Sequence, residues 1–174
     1  MPHPLVDQLR FTRSEWERGL AGVSDSDGMR HFGPMNCIGW TVGHLAWQEQ
    51  RYFLLRAQGK VLFPELNTAF AYGAEMSSPL LSEMVGLWHE VTRECDPYLD
   101  LLTTESLTGD LLLDGKSVGQ SLGSAMRRTT YHYWYHIGEI QAMRQLLGHT
   151  GLPEYVGEIE TLAPYRPETV DHSP

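Results

Sequence analysis

From Val118 to Leu147, the residues Val118, Leu122, Ala125, Thr129, His132, His136, Ile140, Met143 and Leu147 recur in steps of three and four. That period lays one continuous stripe along a helix and turns it toward other helices. No Gly or Pro falls between Ser124 and Ile137 to break it. The stripe carries two histidines four residues apart, which brings both imidazoles onto one face, within reach of a single ion. With 8 His in the chain, such a pair arises by accident about a third of the time, so the spacing alone is a weak motif. Its place on an inward stripe is the informative part. Buried unpaired polar groups are costly, so two rings there must either be satisfied as core histidines or share a cation.

Three further helices are expected. The first runs from about Leu5 to Ala21 with Leu5, Leu9, Trp16 and Leu20 inward, and Gly22 and the Ser24–Gly28 turn end it. Asn36 is a suitable N-cap for a second helix reaching Gln58, with Gly59 as its stop. That helix is apolar nearly all round, which marks it as buried, and His44 lies inside it. Ser78-Pro79 opens a third helix to about Leu102, with Leu81, Val85, Trp88 and Val91 inward and Pro97 expected to kink or shorten it. The connection 60–77 has the length of a lid or pocket wall. The link 103–116 holds a short extended piece at Leu111–Gly115, and the fourth helix starts between Ser117 and Ser121. Four amphipathic helices without strand alternation predict an all-α four-helix bundle over residues 1–150, with a Pro-rich extension at 151–174 lying on it.

Composition narrows the function. The net charge is −9, from 22 acidic and 13 basic residues, and Arg127-Arg128 is the only adjacent basic pair. Such a surface repels phosphate backbones, so nucleic acid is not an expected partner. No apolar run follows the opening Met-Pro-His-Pro and no stretch is long enough to span a bilayer, so neither a signal peptide nor membrane association is expected. Cys37 and Cys95 lack zinc-type pairing and are too few for a disulfide framework. Together these point to a cytoplasmic protein, with Cys37 a small buried hydrophobe rather than a reactive thiol.

His44, His132 and His136 can supply three neutral nitrogen ligands from two facing helices. Three protein ligands leave a position open for water or substrate, as in catalytic rather than structural sites. Imidazole suits zinc, nickel, iron and copper, so ligand type does not choose the metal. Zinc heads the expectation, followed by nickel or iron. With no anionic ligand the site would retain the ion's full charge and favour a bound thiolate or hydroxide. Glu139, one turn beyond His136, is the candidate catalytic residue as a general base. It could equally orient a ligand, bind the ion, or pair with a helix neighbour on the surface. Gln48 and Glu49 read as structural, and most of Tyr131, Tyr133, Trp134 and Tyr135 as packing. His31, His89, His149 and His172 carry no assigned role. Two rival chemistries lack their motifs: Tyr133 follows His132 where a metalloprotease needs Glu, and no Glu has a His three residues later as a di-iron bundle requires.

The stretches Asn36-Cys-Ile-Gly-Trp-Thr-Val-Gly-His44-Leu-Ala-Trp-Gln-Glu-Gln50 and Tyr131-His-Tyr-Trp-Tyr-His-Ile-Gly-Glu139, continuing through Arg144-Gln-Leu-Leu-Gly-His149, resemble the DinB/YfiT-like superfamily of metal-dependent four-helix bundles. The resemblance covers roughly Leu5 to His149. It implies a metal held by three histidines near one end of the bundle, and these map onto His44, His132 and His136. It also implies that homodimers are common, and the apolar Trp88 and Tyr98 agree with one here. The superfamily includes transferases and isomerases that use low-molecular-weight thiols. The expected function is therefore metal-dependent thiol S-transfer, with a small thiol and an electrophile as substrates. A non-catalytic, stress-associated metal-binding bundle and a metal-dependent hydrolase are the alternatives.

Overall fold

The computed structural model describes residues 2–167, so His172 and the end of the extension lie outside the described residues. In chain order the elements are α1 (Pro4–Leu20), α2 (Asp25–Gly28), α3 (Ile38–Glu49), α4 (Leu66–Ala69), α5 (Leu81–Leu99), α6 (Thr104–Thr108), β1 (Asp110–Leu113), β2 (Lys116–Ser121), α7 (Leu122–Leu146) and α8 (Ile159–Leu162). The long helices α1, α3, α5 and α7 form the bundle, α1 packing chiefly on α7 and α3 on α5.

Every residue of α3 is buried, as its all-round apolar sequence predicts. Its N-cap is Cys37 rather than Asn36: the Cys37 Sγ accepts from the Trp40 N–H at 3.4 Å. Beyond Glu49 the helix widens into a π-helical stretch at Gln50–Arg56 and ends at Gly59, whose φ of 69° suits a residue without Cβ. Gln50 faces the connection that follows. Its amide donates to the Phe63 carbonyl at 2.9 Å and accepts from the N–H groups of Leu62 and Phe63 at 2.9 and 2.8 Å.

Helix α5 begins at Leu81, later than Ser78-Pro79 suggests, and its first turn is capped from outside. The Asp25 carboxylate of α2 accepts from the Ser82 N–H and hydroxyl at 2.8 and 2.9 Å, satisfying a donor that the helix itself leaves unpaired. Pro79 instead runs across α3, where a Cβ on Gly39 would come within 2.6 Å of its carbonyl oxygen. Pro97 lies near the C-terminal end, and the helix stops at Leu99 rather than Leu102.

The largest departure from the expected layout is at 110–121, where β1 and β2 form an antiparallel hairpin. Asp114 (φ 50°) and Gly115 (φ 74°) make its two-residue turn, the left-handed pair that matches strand twist. Val118 therefore belongs to a strand, and the helical stripe starts at Leu122. Ser121 closes the hairpin and caps α7, its hydroxyl accepting from the Ser124 N–H at 3.2 Å. The described part of the extension lies along α1 and α7: Arg18 donates to the Glu154 carbonyl, Gln141 to the Pro153 carbonyl and Gln8 to the Ala163 carbonyl.

One buried polar network ties the four long helices together. Arg13 of α1 holds Glu49 of α3 through two hydrogen bonds, Nε to Oε1 at 2.8 Å and Nη2 to Oε2 at 2.6 Å. Its third nitrogen donates to Asp96 of α5 at 2.8 Å. The Tyr133 hydroxyl of α7 donates to Glu49 Oε1 at 3.0 Å and accepts from the Trp88 indole of α5 at 2.5 Å. Glu49 and Tyr133 are fully buried. Trp88, at 2% exposure, is thus engaged in the chain's own core, while Tyr98 is half-buried.

Candidate metal centre

Helices α3 and α7 bring three imidazoles to one point. Each of His44, His132 and His136 offers one ring nitrogen, and these nitrogens lie within 4.8 Å of one another. The His132 and His136 Nε2 atoms are 3.0 Å apart. Nitrogens sharing one tetrahedral ion at about 2.0–2.1 Å stand about 3.3 Å apart, so small ring movements suffice. No other His, Cys, Asp or Glu joins this cluster among the described residues.

The local sequence explains how each ring is held. Gly43, beside His44, lets the 60–77 connection approach closely: a Cβ there would meet the Phe70 ring at 2.7 Å. That approach delivers the Phe70 carbonyl to His44 Nδ1 at 2.7 Å, which fixes the proton on Nδ1 and leaves the Nε2 lone pair free. Trp40 stacks on the His44 ring with centroids 5.1 Å apart, and Trp47 lies 5.2 Å away on the same helix. His136 Nδ1 donates to Glu139 Oε2 at 2.5 Å, so that carboxylate sits behind the ring, on the side away from His132. His132 is held differently. Its Nδ1 is buried and has no hydrogen-bond partner among the described residues.

The protonation states suit metal binding. Burial pushes His132 down to about 3, with the neighbouring His136 and His44 adding to the effect. Burial likewise pushes His44 down to about 4, against the opposing pull of the Phe70 carbonyl. Both are neutral at pH 7, the form that offers a lone pair to a metal. Burial raises the Glu139 carboxyl, but its hydrogen bond from His136 and that ring's charge, then the Tyr135 hydroxyl, more than offset this and leave it below its ordinary value. The donor set thus fits a borderline divalent cation: three imidazole nitrogens converge, and two of the rings are oriented by acceptors behind.

A cleft of about 450 Å³ opens onto the rings. Its walls include Met35 and Trp40 on one side, Tyr72 and Ala74 from the 60–77 connection, and Tyr135 and Glu139 of α7. The connection is therefore a pocket wall. A second, more open cleft of about 790 Å³ begins on the other side of His132.

The chain matches the model of the DinB superfamily over residues 8–140. It belongs to that superfamily. The span runs from early α1 to the last turns of α7 and includes all three imidazoles, so the superfamily's bundle and the metal-competent cluster coincide in this DinB-superfamily chain. No curated protein matches the chain.

The other residues singled out by sequence fall outside the centre. Glu49 is bound to Arg13, and Gln48 is buried with its Oε1 unpaired among the described residues. Tyr133 belongs to the core network and Tyr131 is exposed, whereas Tyr135, though exposed, lies against the His132 and His136 rings at the cleft wall. Cys37 donates to the Ser77 carbonyl, and burial pushes its thiol up, so it remains protonated at neutral pH. His31 bonds the Met35 carbonyl and the Ser78 hydroxyl, His89 faces Glu17, and His149 lies between Arg144 and Asp27. The Phe70 carbonyl is a functional group that side-chain reasoning does not find. The sequence cue to it is the glycine that precedes His44 on an otherwise crowded helix. Among the described residues, no helix is long and apolar enough to cross a membrane.

Proposed function

We propose that this DinB-superfamily protein is a metal-dependent enzyme that activates a small thiol and transfers it to an electrophile. His44, His132 and His136 hold one divalent ion, zinc ahead of nickel or iron. The observation that carries the reading is the convergence of three imidazole nitrogens on a solvent-reached cleft. Closed structural sites use four protein ligands, and the described residues offer three. When bound, the ion supplies positive charge that favours the deprotonated form of a thiol or water.

The protein's own groups do the rest. The Phe70 carbonyl and the Glu139 carboxylate retain the Nδ1 protons of His44 and His136 and so aim the opposite nitrogens at the shared point. Glu139 is in this reading a positioning residue for His136. It also lines the cleft, where its carboxylate can take the proton that a thiol releases on entering. Trp40 and Trp47 flank His44 and keep water from its face. The scaffold alternative is less well supported, because the Arg13–Glu49–Tyr133–Trp88 network already joins the four helices without an ion.

The test is a screen of zinc-loaded protein with several low-molecular-weight thiols and generic electrophiles, followed by mass spectrometry of the products. We expect thioether products that disappear on chelation and in His132→Ala. Hydrolysed electrophile without thioether would move the assignment to a hydrolase. No turnover, together with a melting temperature that collapses on chelation, would favour the scaffold.

A further inference from the structure

Arg127 and Arg128 are the only adjacent basic residues in an acidic chain, and they differ from most of its other arginines. Arg10, Arg13 and Arg18 are ion-paired to carboxylates, Arg144 donates to the Gly19 carbonyl, and Arg51 and Arg56 lie over aromatic rings. Arg127 and Arg128 are exposed and make no ion pair among the described residues. Their helical neighbours explain why. The residues three and four positions away are Gly123, Ser124, Ala125, Thr130, Tyr131 and His132, none of them acidic.

Both arginines line the open cleft of about 790 Å³, which β2 closes on the far side with Gly119 and Gln120. Ser124, Arg128 and His132 follow one another at single-turn intervals of about 5–6 Å along α7. His132 lines both this cleft and the pocket over the imidazoles. The two spaces therefore adjoin at one ring. Two guanidinium forks with serine hydroxyls beside them match an oxyanion, which they can bind through paired, charge-assisted hydrogen bonds. In a protein of net charge −9, an unneutralised basic pair also draws anions locally where the rest of the surface repels them.

We propose that this cleft is an oxyanion subsite: a small substrate bearing a carboxylate or phosphoryl group docks that group at Arg127 and Arg128 and extends its reacting end past His132 into the histidine pocket. The placement of the reacting end rests on the thiol-transfer reading given above; the anion subsite does not.

Calorimetric titration of the full chain with succinate and with inorganic phosphate tests it. The variants are the Arg127→Gln/Arg128→Gln double and, as control, Arg93→Gln, another exposed arginine. We expect saturable binding to the wild type that weakens about ten-fold or more in the double variant, as loss of hydrogen bonds to charged groups implies, and that is unchanged in the control. The tighter of the two ligands identifies the carboxylate or the phosphoryl source. No saturable binding of either anion to the wild type, or equal binding to the double variant, overturns the proposal. Because both arginines are exposed, the double variant should melt with the wild type. The charge-retaining Arg127→Lys/Arg128→Lys form should keep part of the affinity. A separate arm follows the absorption of cobalt-loaded protein with 3-mercaptopropionate and with uncharged 2-mercaptoethanol. A spectrum that responds to neither thiol, with succinate or phosphate binding still dependent on the arginines, sinks the thiol reading and leaves the subsite standing. A spectrum that responds equally to both thiols, in the wild type and the double variant alike, overturns the placement of the reacting end past His132 and leaves the thiol reading.

Discussion

The bundle contains two polar clusters built on the same pair of helices, and they are made in opposite ways. Glu49 lies five residues after His44 on α3, and Tyr133 directly follows His132 on α7. The Glu49 cluster is closed. Both carboxylate oxygens, the Arg13 fork, the Tyr133 hydroxyl and the Trp88 indole all have partners, and none of these residues is more than marginally exposed. The histidine cluster is open. A cleft reaches it, and His132 Nδ1 is buried with no partner among the described residues. A satisfied buried network specifies how helices dock. Polar groups gathered and left incompletely satisfied imply something further that completes them. Register and chemistry are thus set by residues within five positions of one another on α3 and α7.

The largest effect should come from breaking the closed cluster. Glu49→Gln leaves the Arg13 guanidinium buried beside a neutral amide, and losing one partner of a buried pair typically costs about 3–5 kcal/mol. Denaturant unfolding should register that loss whether or not metal is present. A change below about 1 kcal/mol would mean that the network is not the bundle's clasp. His132→Ala should behave in the converse way. Metal content, measured by elemental analysis after equilibrium dialysis, should fall from one ion per chain to a small fraction, while stability of the metal-free protein changes by no more than about 1 kcal/mol. A His132→Ala protein that fails to fold would erase the distinction between the clusters.

Glu139→Gln probes the intermediate case, a carboxylate that supports a ligand from behind. Loss of such a partner weakens metal affinity by about 10–100-fold, which competition with a chromophoric chelator can read. Weakening far beyond that range would show that Glu139 binds the ion itself. The remaining contrast is in pH dependence. His44 and His132 titrate near 4 and 3 in the folded protein and near 6.5 in an unfolded chain. Below about pH 6.5 protons therefore favour the unfolded state, so these two groups lower the stability of the metal-free protein as pH falls toward 4 and contribute no slope above 7. Melting of the metal-free protein across that range should show the decline, and His132→Ala should show less of it.

The two clusters also differ in how far sequence reveals them. The histidines are legible because each sits on a strongly patterned helix: His132 and His136 fall on a three-and-four stripe, and His44 is embedded among Trp40, Leu45 and Trp47. The closed cluster is not. Arg13 and Glu49 are 36 residues apart, and no local pattern says that one charge will neutralise the other in the core. Trp88 shows the same limit, since an apolar residue on a helix face can serve its own core or a partner, and only its bond to Tyr133 decides. The hairpin is missed for a different reason. Asp114-Gly115 is a strong turn signal, but Lys116–Ser121 contains Gly119 and only one apolar residue, Val118, so the second strand has no alternation to read. The displaced start of α5 depends on Asp25, more than fifty residues earlier. Caps supplied from a distance leave no mark next to the helix they terminate.

Zinc-edge X-ray absorption on protein loaded by equilibrium dialysis tests the central claim most directly, with the triple variant His44→Ala/His132→Ala/His136→Ala dialysed alongside. We expect one zinc per chain in the wild type, a first shell of nitrogen and oxygen at about 2.0–2.1 Å with imidazole scattering and no sulfur near 2.3 Å, and no stoichiometric zinc in the triple variant. Zinc retained at one per chain by the triple variant, or a shell containing thiolate sulfur, would contradict it.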